Sequence, residues 1–266
     1  MAHRFTIFAK GNLDVQYSLH SFRVGGEIAW NGVNEIVREQ APVVSVRVRH
    51  ETFGRSDALL EATGAVPPGL AAQAPPLGNF PATSQFSRAL FDARHDAVVL
   101  SAQADVYGQL FRHRSDGYLL CAPDAHAWPE QHRHWLRREF AMTGPLDVAA
   151  SMRNFVDIVS EIRARADVPV LIYNVPAVDP AERIHCHLGL EDTVSVRAQR
   201  FNLGLIELSQ RTGVSIVDVD GVVARGGAER LKLDALHLTA EGHRLVAAEV
   251  VRVLADLGCL PNAVAA

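Results

Sequence analysis

Apolar residues occur along the chain in short runs that are rich in β-branched side chains. The runs cover residues 5–8 (FTIF), 43–48 (VVSVRV), 96–102 (DAVVLSA), 168–175 (VPVLIYNV) and 214–219 (VSIVDV). Their largely continuous apolar character is typical of strands that helices cover on both faces, as in a parallel sheet. The pattern predicts a five-stranded, mainly parallel sheet.

The segments between these runs have the spacing of amphipathic helices. Apolar residues recur at intervals of three and four in residues 26–40, 84–93, 146–166, 193–213 and 239–258. Strands that alternate with helices predict an α/β fold, a flavodoxin-like three-layer sandwich with a ligand crevice at the carboxyl ends of its strands. No shift in composition marks a linker, so residues 1–266 are predicted to form a single domain.

Two segments interrupt this alternation. Residues 65–84 are rich in proline, alanine and glycine, which predicts a long surface loop or flap. Residues 112–145 are rich in histidine, arginine and tryptophan and follow the third predicted strand. We expect both segments to overhang the crevice, the second as a lid or substrate selector; the alternative for the second is a solvated connecting helix.

The composition limits the classes of partner that the chain is expected to bind. The 26 basic and 30 acidic residues give a formal charge of −4, which provides no basic surface for a nucleic acid. The apolar stretch that begins at residue 5 is too short for a signal peptide or a membrane span, so we expect a cytoplasmic protein without a membrane partner. We also expect no metal and no cofactor, because no motif has the spacing of known zinc or dinucleotide sites.

Candidate chemistry is concentrated near the C-terminus. Asp234 and His237 lie three residues apart, directly before a predicted helix. An Asp carboxylate at this distance can bind one imidazole nitrogen, fix its tautomer and stabilise its protonated form, as a general base requires. The spacing also fits a helix-capping Asp beside a surface His.

A longer pattern around this pair resembles a known family. Residues 234–243 read Asp-x-x-His-Leu-Thr-x-x-Gly-His and precede a helix rich in alanine and valine. This segment resembles the last conserved block of the SGNH (GDSL-type) hydrolases. The resemblance implies the SGNH hydrolase fold and a Ser-His-Asp triad in which Asp234 orients His237, the base, while His243 is structural.

The second and third blocks of that family have partial counterparts. Residues 49–60 (RHETFGRSDALL) resemble the second block and place Gly54 as a backbone oxyanion donor. The third block is usually Gly-x-Asn-Asp, whereas this chain reads Ala102-Gln103-Ala104-Asp105. Gln103 carries the side-chain amide that we predict as the second oxyanion donor.

The first block departs most from the family. Its Gly-Asp-Ser falls on Gly11, Asn12 and Leu13. Because leucine cannot attack a carbonyl, three explanations are open. Ser18 is the nucleophile of an extended loop; or Asn12 and Asp14 line a remodelled site without a covalent step; or the fold is used only for binding.

Further polar residues are expected on the edge of the crevice and are predicted to bind substrate: Asn12, Asp14, His20, Arg23, His50 and Arg55. An arginine pair suits an anionic or sugar-like ligand. The resemblance implies an esterase, deacylase or acyltransferase that acts on an ester or acyl group of a polar small molecule through Ser18, His237 and Asp234. The alternative is a non-hydrolytic protein that binds a sugar or a biosynthetic intermediate. The oligomeric state stays open.

Overall fold

The structure is a computed structural model, and it describes residues 3–92, 94–178 and 192–260. Its strands are β1 (His3–Lys10), β2 (Phe22–Val24), β3 (Glu27–Trp30), β4 (Val44–Glu51), β5 (Ala97–Ser101), β6 (Leu110–His113), β7 (Leu119–Cys121), β8 (Phe140–Met142), β9 (Val170–Tyr173) and β10 (Ser215–Val217). Its α-helices are α1 (Leu13–Leu19), α2 (Asn34–Gln40), α3 (Ser56–Glu61), α4 (Pro68–Gln73), α5 (Ala82–Gln85), α6 (Ala89–Asp92), α7 (Gln103–Tyr107), α8 (Glu130–Glu139), α9 (Val148–Arg163), α10 (Val194–Thr212), α11 (Val219–Gly226), α12 (Ala228–Leu231) and α13 (Ala240–Asp256).

The chain folds into two compact units. The first comprises Met1–His50, Arg94–Gln103 and Val168–Ala266, and the second comprises Glu51–Ala93 and Ala104–Asp167. Both are discontinuous in sequence, and both fall within the single domain predicted for residues 1–266, which stays a prediction. No helix within the described ranges is long and apolar enough to cross a membrane.

A five-stranded sheet in the order β10-β9-β5-β1-β4 forms the first unit. β5 pairs in parallel with β1, where Phe8 lies opposite Val98, and with β9, where Val99 lies opposite Leu171; β10 is parallel to β9. Each of the five predicted runs overlaps one of these strands, and every residue of β5 is buried, as a continuous apolar run requires. The predicted α/β class with a parallel sheet flanked by helices is confirmed.

The core of the first unit lies between this sheet and α13. Ile7 and Val217 from the strands pack in one apolar cluster with Val246 and Val250 of the helix. The helix begins at a cap in which the Thr239 side chain accepts a hydrogen bond from the N–H of Gly242. The cap fixes where the helix starts, and therefore where the preceding loop with Asp234 and His237 ends.

One predicted helix of the first unit is wrong in its first half. Residues 26–40 were expected to form one helix, but β2 and β3 form an antiparallel hairpin before α2 begins. Gly25 and Gly26 make the turn with φ angles of 57° and 90°, a backbone conformation that favours glycine. The Trp30 indole then donates to the carbonyl of Tyr17 at 2.8 Å, which attaches the hairpin to α1.

The second unit corrects two further expectations. Residues 65–84 are not an irregular flap, because they contain α4 and most of α5, and Leu70 of α4 is buried in a cluster with Phe86 and Trp135. The helix predicted over residues 84–93 is broken between α5 and α6.

Residues 112–145 are not a single connecting helix. They contribute β7, β8 and part of β6 to a three-stranded antiparallel sheet of order β7-β6-β8. They also contain α8, which contacts β8. Trp135 and Phe140 bury their rings against each other with centroids 5.1 Å apart. The segment is therefore a packed part of the second unit. That either segment overhangs a crevice stays a prediction.

Candidate active site

The candidate site lies in the first unit, at the carboxyl ends of β1 and β5. β1 leads into α1, which begins at Leu13, and β5 leads into α7, which begins at Gln103. The loop of residues 232–238, which we call the histidine loop, precedes α13 and carries the predicted base. Neighbouring parallel strands present their carboxyl ends at one edge of a sheet, the usual position of ligand sites in such folds.

Asp234 and His237 form the predicted pair. The Nδ1 atom of His237 lies 2.8 Å from Oδ2 and 2.9 Å from Oδ1 of Asp234, and the N–H groups of Leu236 and His237 donate to the same carboxylate. Partial burial by itself raises the pKa of Asp234, but these hydrogen bonds outweigh it and hold the pKa below its usual range. The carboxylate therefore stays charged and orients the imidazole, leaving Nε2 for a substrate.

The histidine loop is closed by its own backbone. The N–H of Leu233 donates to the carbonyl of His237 at 2.8 Å, and Lys232 forms an isolated antiparallel bridge with Leu238. Lys232 also donates from Nζ to the carbonyl of Val178. These bonds fix the backbone on both sides of the Asp-His pair.

Gln103 is attached to this loop. Its Nε2 donates to the carbonyl of Leu236 at 3.0 Å, while its own N–H donates to Oγ of Ser101. Gln103 thus joins the end of β5 to the histidine loop. The amide has two N–H groups and this bond uses one of them, so its role as an oxyanion donor stays a prediction.

A small cavity of about 70 Å³ lies beside His237. Its walls come from the start of α1, the β2 strand, the histidine loop and the start of α13; the lining residues are Leu13, Asp14, Tyr17, Phe22, Leu233, Leu236, His237, Leu238 and His243. The residue on which the family's nucleophile falls, Leu13, thus shares a cavity with the predicted base.

Asp14, a predicted substrate-binding residue, also lines this cavity but is buried. Ser101 donates from Oγ to Oδ2 of Asp14 at 2.5 Å, and the N–H of Asn12 donates to Oδ1 at 3.1 Å. Burial raises the pKa of Asp14, although these hydrogen bonds oppose the shift. The side-chain oxygen Oδ1 of Asn12 is itself buried without a hydrogen-bond partner in the described part of the chain.

Ser18 is not placed to act as the predicted nucleophile. It is 0% exposed, and its hydroxyl is bonded to the carbonyls of Asp14 and Val15 and to the Tyr173 hydroxyl at 2.9 Å. It lies on the buried face of α1 and is not among the residues that line the cavity. A hydroxyl without accessible surface cannot meet a substrate, so this prediction is corrected: Ser18 fixes α1 to β9.

His243 contributes more than the structural role implied by the resemblance. Its ring is 2% exposed, lies 5.6 Å from the ring of Tyr17 and 5.2 Å from that of Phe22, and lines the cavity. Burial, and then the nearby His237, lower its pKa to about 4. Sequence reasoning could have found this position from its place one turn after the helix cap at Thr239, on the same side as the histidine loop.

His20, His50 and Arg23 lie at the end of α1, on β4 and on the hairpin, respectively. His50 is bonded through Nε2 to the carbonyl of Gly11 at 2.9 Å, and its ring lies 6.1 Å from that of His20. Burial lowers the pKa of His20. Arg23 donates to the carbonyl of Gly26 within its own exposed turn. His20 and His50 are therefore brought together near the end of β1, while Arg23 belongs to the hairpin.

Two predicted site residues belong to the second unit. Arg55 is 3% exposed, and its guanidinium donates to both carboxylate oxygens of Asp57 and to the carbonyls of Gly108 and Gly144. These bonds occupy the guanidinium, so the predicted substrate contact of Arg55 is corrected to a structural one. A Cβ at Gly54 would come within 3.2 Å of Cys121, so packing also requires a small residue there; its oxyanion role stays a prediction.

Asp105, the match to the last residue of the family's third block, is fully buried in the second unit. It accepts hydrogen bonds from the N–H and hydroxyl of Ser56 and from the hydroxyl of Ser151. Burial raises its pKa to about 6 in spite of these bonds. The residue holds α3 and α9 of that unit together.

Comparison with known proteins rests on structure. The sequence matches no protein-family model and no curated protein. Among solved structures, an acetylxylan esterase from Geobacillus stearothermophilus is similar with a TM-score of 0.53 and 12% identity, covering 95% of each chain. A lipase/acylhydrolase from Enterococcus faecalis has a TM-score of 0.52 and 12% identity, covering 97% of this chain and 98% of its own.

A third similar structure carries the family name. A protein from Slackia heliotrinireducens, described as a candidate SGNH hydrolase, has a TM-score of 0.50 and 14% identity, covering 95% of this chain and 100% of its own. At such identities the likeness establishes the fold. The chain has the fold of the SGNH hydrolases in a divergent form.

Proposed function

We propose that the chain hydrolyses an ester or acyl bond of a polar small molecule, with His237 as general base and water as nucleophile. The observation that carries this proposal is the 2.8 Å bond between His237 and Asp234 on the wall of the cavity that Leu13 also lines. A charged carboxylate on Nδ1 leaves Nε2 as the proton acceptor. Since Leu13 carries no nucleophilic atom, the attacking oxygen comes from water.

In this reaction, Nε2 of His237 takes part in two proton transfers. Nε2 of His237 accepts a proton from water while the water oxygen forms a bond to the acyl carbon, which gives a tetrahedral oxyanion. The oxyanion collapses and breaks the bond to the leaving oxygen, which takes the proton back from the imidazolium. The products are a carboxylic acid and an alcohol, and Asp234 stabilises the imidazolium between the two steps. An acceptor hydroxyl in place of water would make the same steps an acyl transfer.

A second candidate function is binding without turnover. One observation favours it: the described residues that line the cavity include Leu13 and no serine. A site with a base but without a covalent nucleophile can bind a sugar or a biosynthetic intermediate without cleaving it.

Hydrolysis of p-nitrophenyl acetate separates these functions. We expect slow turnover by the unmodified chain, about 10³-fold slower turnover for His237→Ala, and little change for Ser18→Ala. A fluorophosphonate probe should label no serine of the unmodified protein. Absence of turnover supports binding alone; equal turnover by the His237→Ala variant contradicts the role of the base. Labelling that disappears in Ser18→Ala would restore the covalent mechanism.

A further inference from the structure

The cavity beside His237 has walls made mainly of carbon. Six of its lining residues are leucine or aromatic: Leu13, Tyr17, Phe22, Leu233, Leu236 and Leu238. The rings of Tyr17 and Phe22 meet edge to face with centroids 4.7 Å apart. With a volume of about 70 Å³, the cavity has room for a small group only.

The polar lining residues supply no fixed positive charge. No lysine or arginine is found among the described residues that line the cavity, whose polar side chains belong to Asp14, Tyr17, His237 and His243. The Asp14 carboxyl is bonded to Ser101. His243 is neutral at physiological pH, since burial holds its pKa near 4, and its buried Nδ1 has no hydrogen-bond partner within the described ranges.

Two leucines of the histidine loop extend this apolar surface to solvent. Leu233 is 65% exposed and Leu236 is 38% exposed, and both line the cavity next to the base. When the apolar atoms of a ligand cover exposed leucines at a concave site, the loss of apolar surface from water favours binding. The backbone N–H of Leu233 is bonded to the carbonyl of His237 and the carbonyl of Leu236 to Gln103, so both side chains start from fixed points beside the base.

We propose that this cavity receives a short, uncharged acyl group, and that Leu233 and Leu236 select it against acyl groups that carry a carboxylate. The proposal rests on the proposed hydrolytic function and adds the class of acyl group. A carboxylate placed among leucines and aromatic rings loses its hydration and finds no cation in return. We expect discrimination on the order of 100-fold in kcat/KM.

A matched pair of esters tests this selection. Ethyl butyrate and monoethyl succinate have acyl chains of equal length and differ in the terminal carboxylate. Their ethoxide leaving group is too poor for the succinate carboxylate to expel it as the cyclic anhydride, and the release of acid can be followed by titration at constant pH. We expect kcat/KM for the butyrate to exceed kcat/KM for the succinate by about 100-fold. Leu233→Arg adds a cation at the rim of the cavity and should lower this ratio of kcat/KM values by about fivefold. Leu203→Arg is the control: Leu203 on α10 is 63% exposed but is not among the residues that line the cavity, so the ratio should not change.

Binding of stable analogues keeps this test independent of turnover. The two N-(4-nitrophenyl) amides with the same acyl groups can be titrated by calorimetry. If neither ester is hydrolysed but the butyramide binds more tightly and Leu233→Arg narrows the difference, the selection stands and the hydrolytic function fails. If both esters are hydrolysed with equal kcat/KM, or the succinate is preferred, the selection is overturned while hydrolysis stands. Equal binding of the two amides overturns it as well.

Discussion

The two walls of the cavity present opposite cases. On the wall formed by the histidine loop, Asp234 and His237 are joined at 2.8 Å in the arrangement that a general base needs. On the wall formed by the start of α1, the first helical residue is Leu13, and the serine of the same helix, Ser18, is buried and bonded to Tyr173. One wall is complete for acid-base chemistry, and the other has no covalent nucleophile.

The two walls are held largely by separate bonds. The histidine loop is stabilised by its own backbone bonds and by Gln103, and the start of α1 by the bonds of Asp14 and Ser18. Ser101 links them, because its hydroxyl donates to Asp14 and accepts from the N–H of Gln103. Four substitutions test this separation.

Leu13→Ser should have the largest effect, because it adds a hydroxyl to the incomplete wall. We expect the variant to gain labelling by a fluorophosphonate at position 13, where the unmodified protein has none, and to release p-nitrophenol from p-nitrophenyl acetate in a burst. The double variant Leu13→Ser/His237→Ala should lose both. No labelling of the single variant would show that position 13 lies outside the reach of the base.

Asp234→Asn tests the wall formed by the histidine loop. The amide cannot stabilise the imidazolium and favours the wrong tautomer, so we expect kcat for ester hydrolysis to fall by about 10³-fold with a small change in KM. Asp116→Asn, an exposed carboxylate of the second unit, is the control and should retain full activity. A loss of less than tenfold in the Asp234 variant would mean that the carboxylate does not support the base.

His243→Phe tests whether the buried imidazole is neutral. Its pKa is lowered from 6.5 to about 4 in the folded chain. Between these values the unfolded chain binds a proton that the folded chain does not, so stability is complete above pH 6.5 and is lost as the pH falls. We expect the free energy of unfolding to drop by about 2 kcal/mol from pH 7 to pH 5 through this group. Urea denaturation at both pH values should show a correspondingly smaller drop in the variant; equal drops would place a charged ring in the folded chain.

Gln103→Glu should have the smallest effect. The substitution keeps the shape of the side chain but removes the donor to the Leu236 carbonyl. We expect kcat to fall about tenfold, since one hydrogen bond positions the loop. Gln103→Lys retains a donor and should recover most of the rate. A nuclear magnetic resonance signal of the proton between His237 and Asp234 should broaden in the first variant and sharpen in the second; unchanged signals in both would exclude this positioning role.

The central strands β5 and β9 could be predicted from the sequence because they are buried on both faces, whereas the edge strand β4 alternates between buried and exposed residues. A strand buried on both faces is apolar at nearly every position, as β5 is, and no long-range information is needed to find it. The β2–β3 hairpin could not be found this way. Its exposed strands mix apolar and polar residues at a spacing that also suits a helix, and the turn at Gly25 and Gly26 was the available signal.

The candidate site was predictable where its residues contact each other locally. Asp234 and His237 are three residues apart, so their contact follows from one turn of the loop. Whether Ser18 is buried or exposed depends on which face of α1 packs against the core. Val15, Ser18 and Leu19 share that face, a spacing of three and four that indicates burial once the helix is known to begin at Leu13. The Gln103 bond joins residues 133 positions apart and depends on the tertiary fold.

The bridge between Lys232 and Leu238 makes the histidine loop a ring closed at its base, with both members of the acid-base pair inside it. The bonds that close this ring lie within seven consecutive residues, and Gln103 and Lys232 hold the ring to the rest of the first unit. If the proposed function holds, the same pair would act on water, on an acceptor hydroxyl or, in Leu13→Ser, on a serine, and the residue that faces the ring would decide which of these reactions occurs.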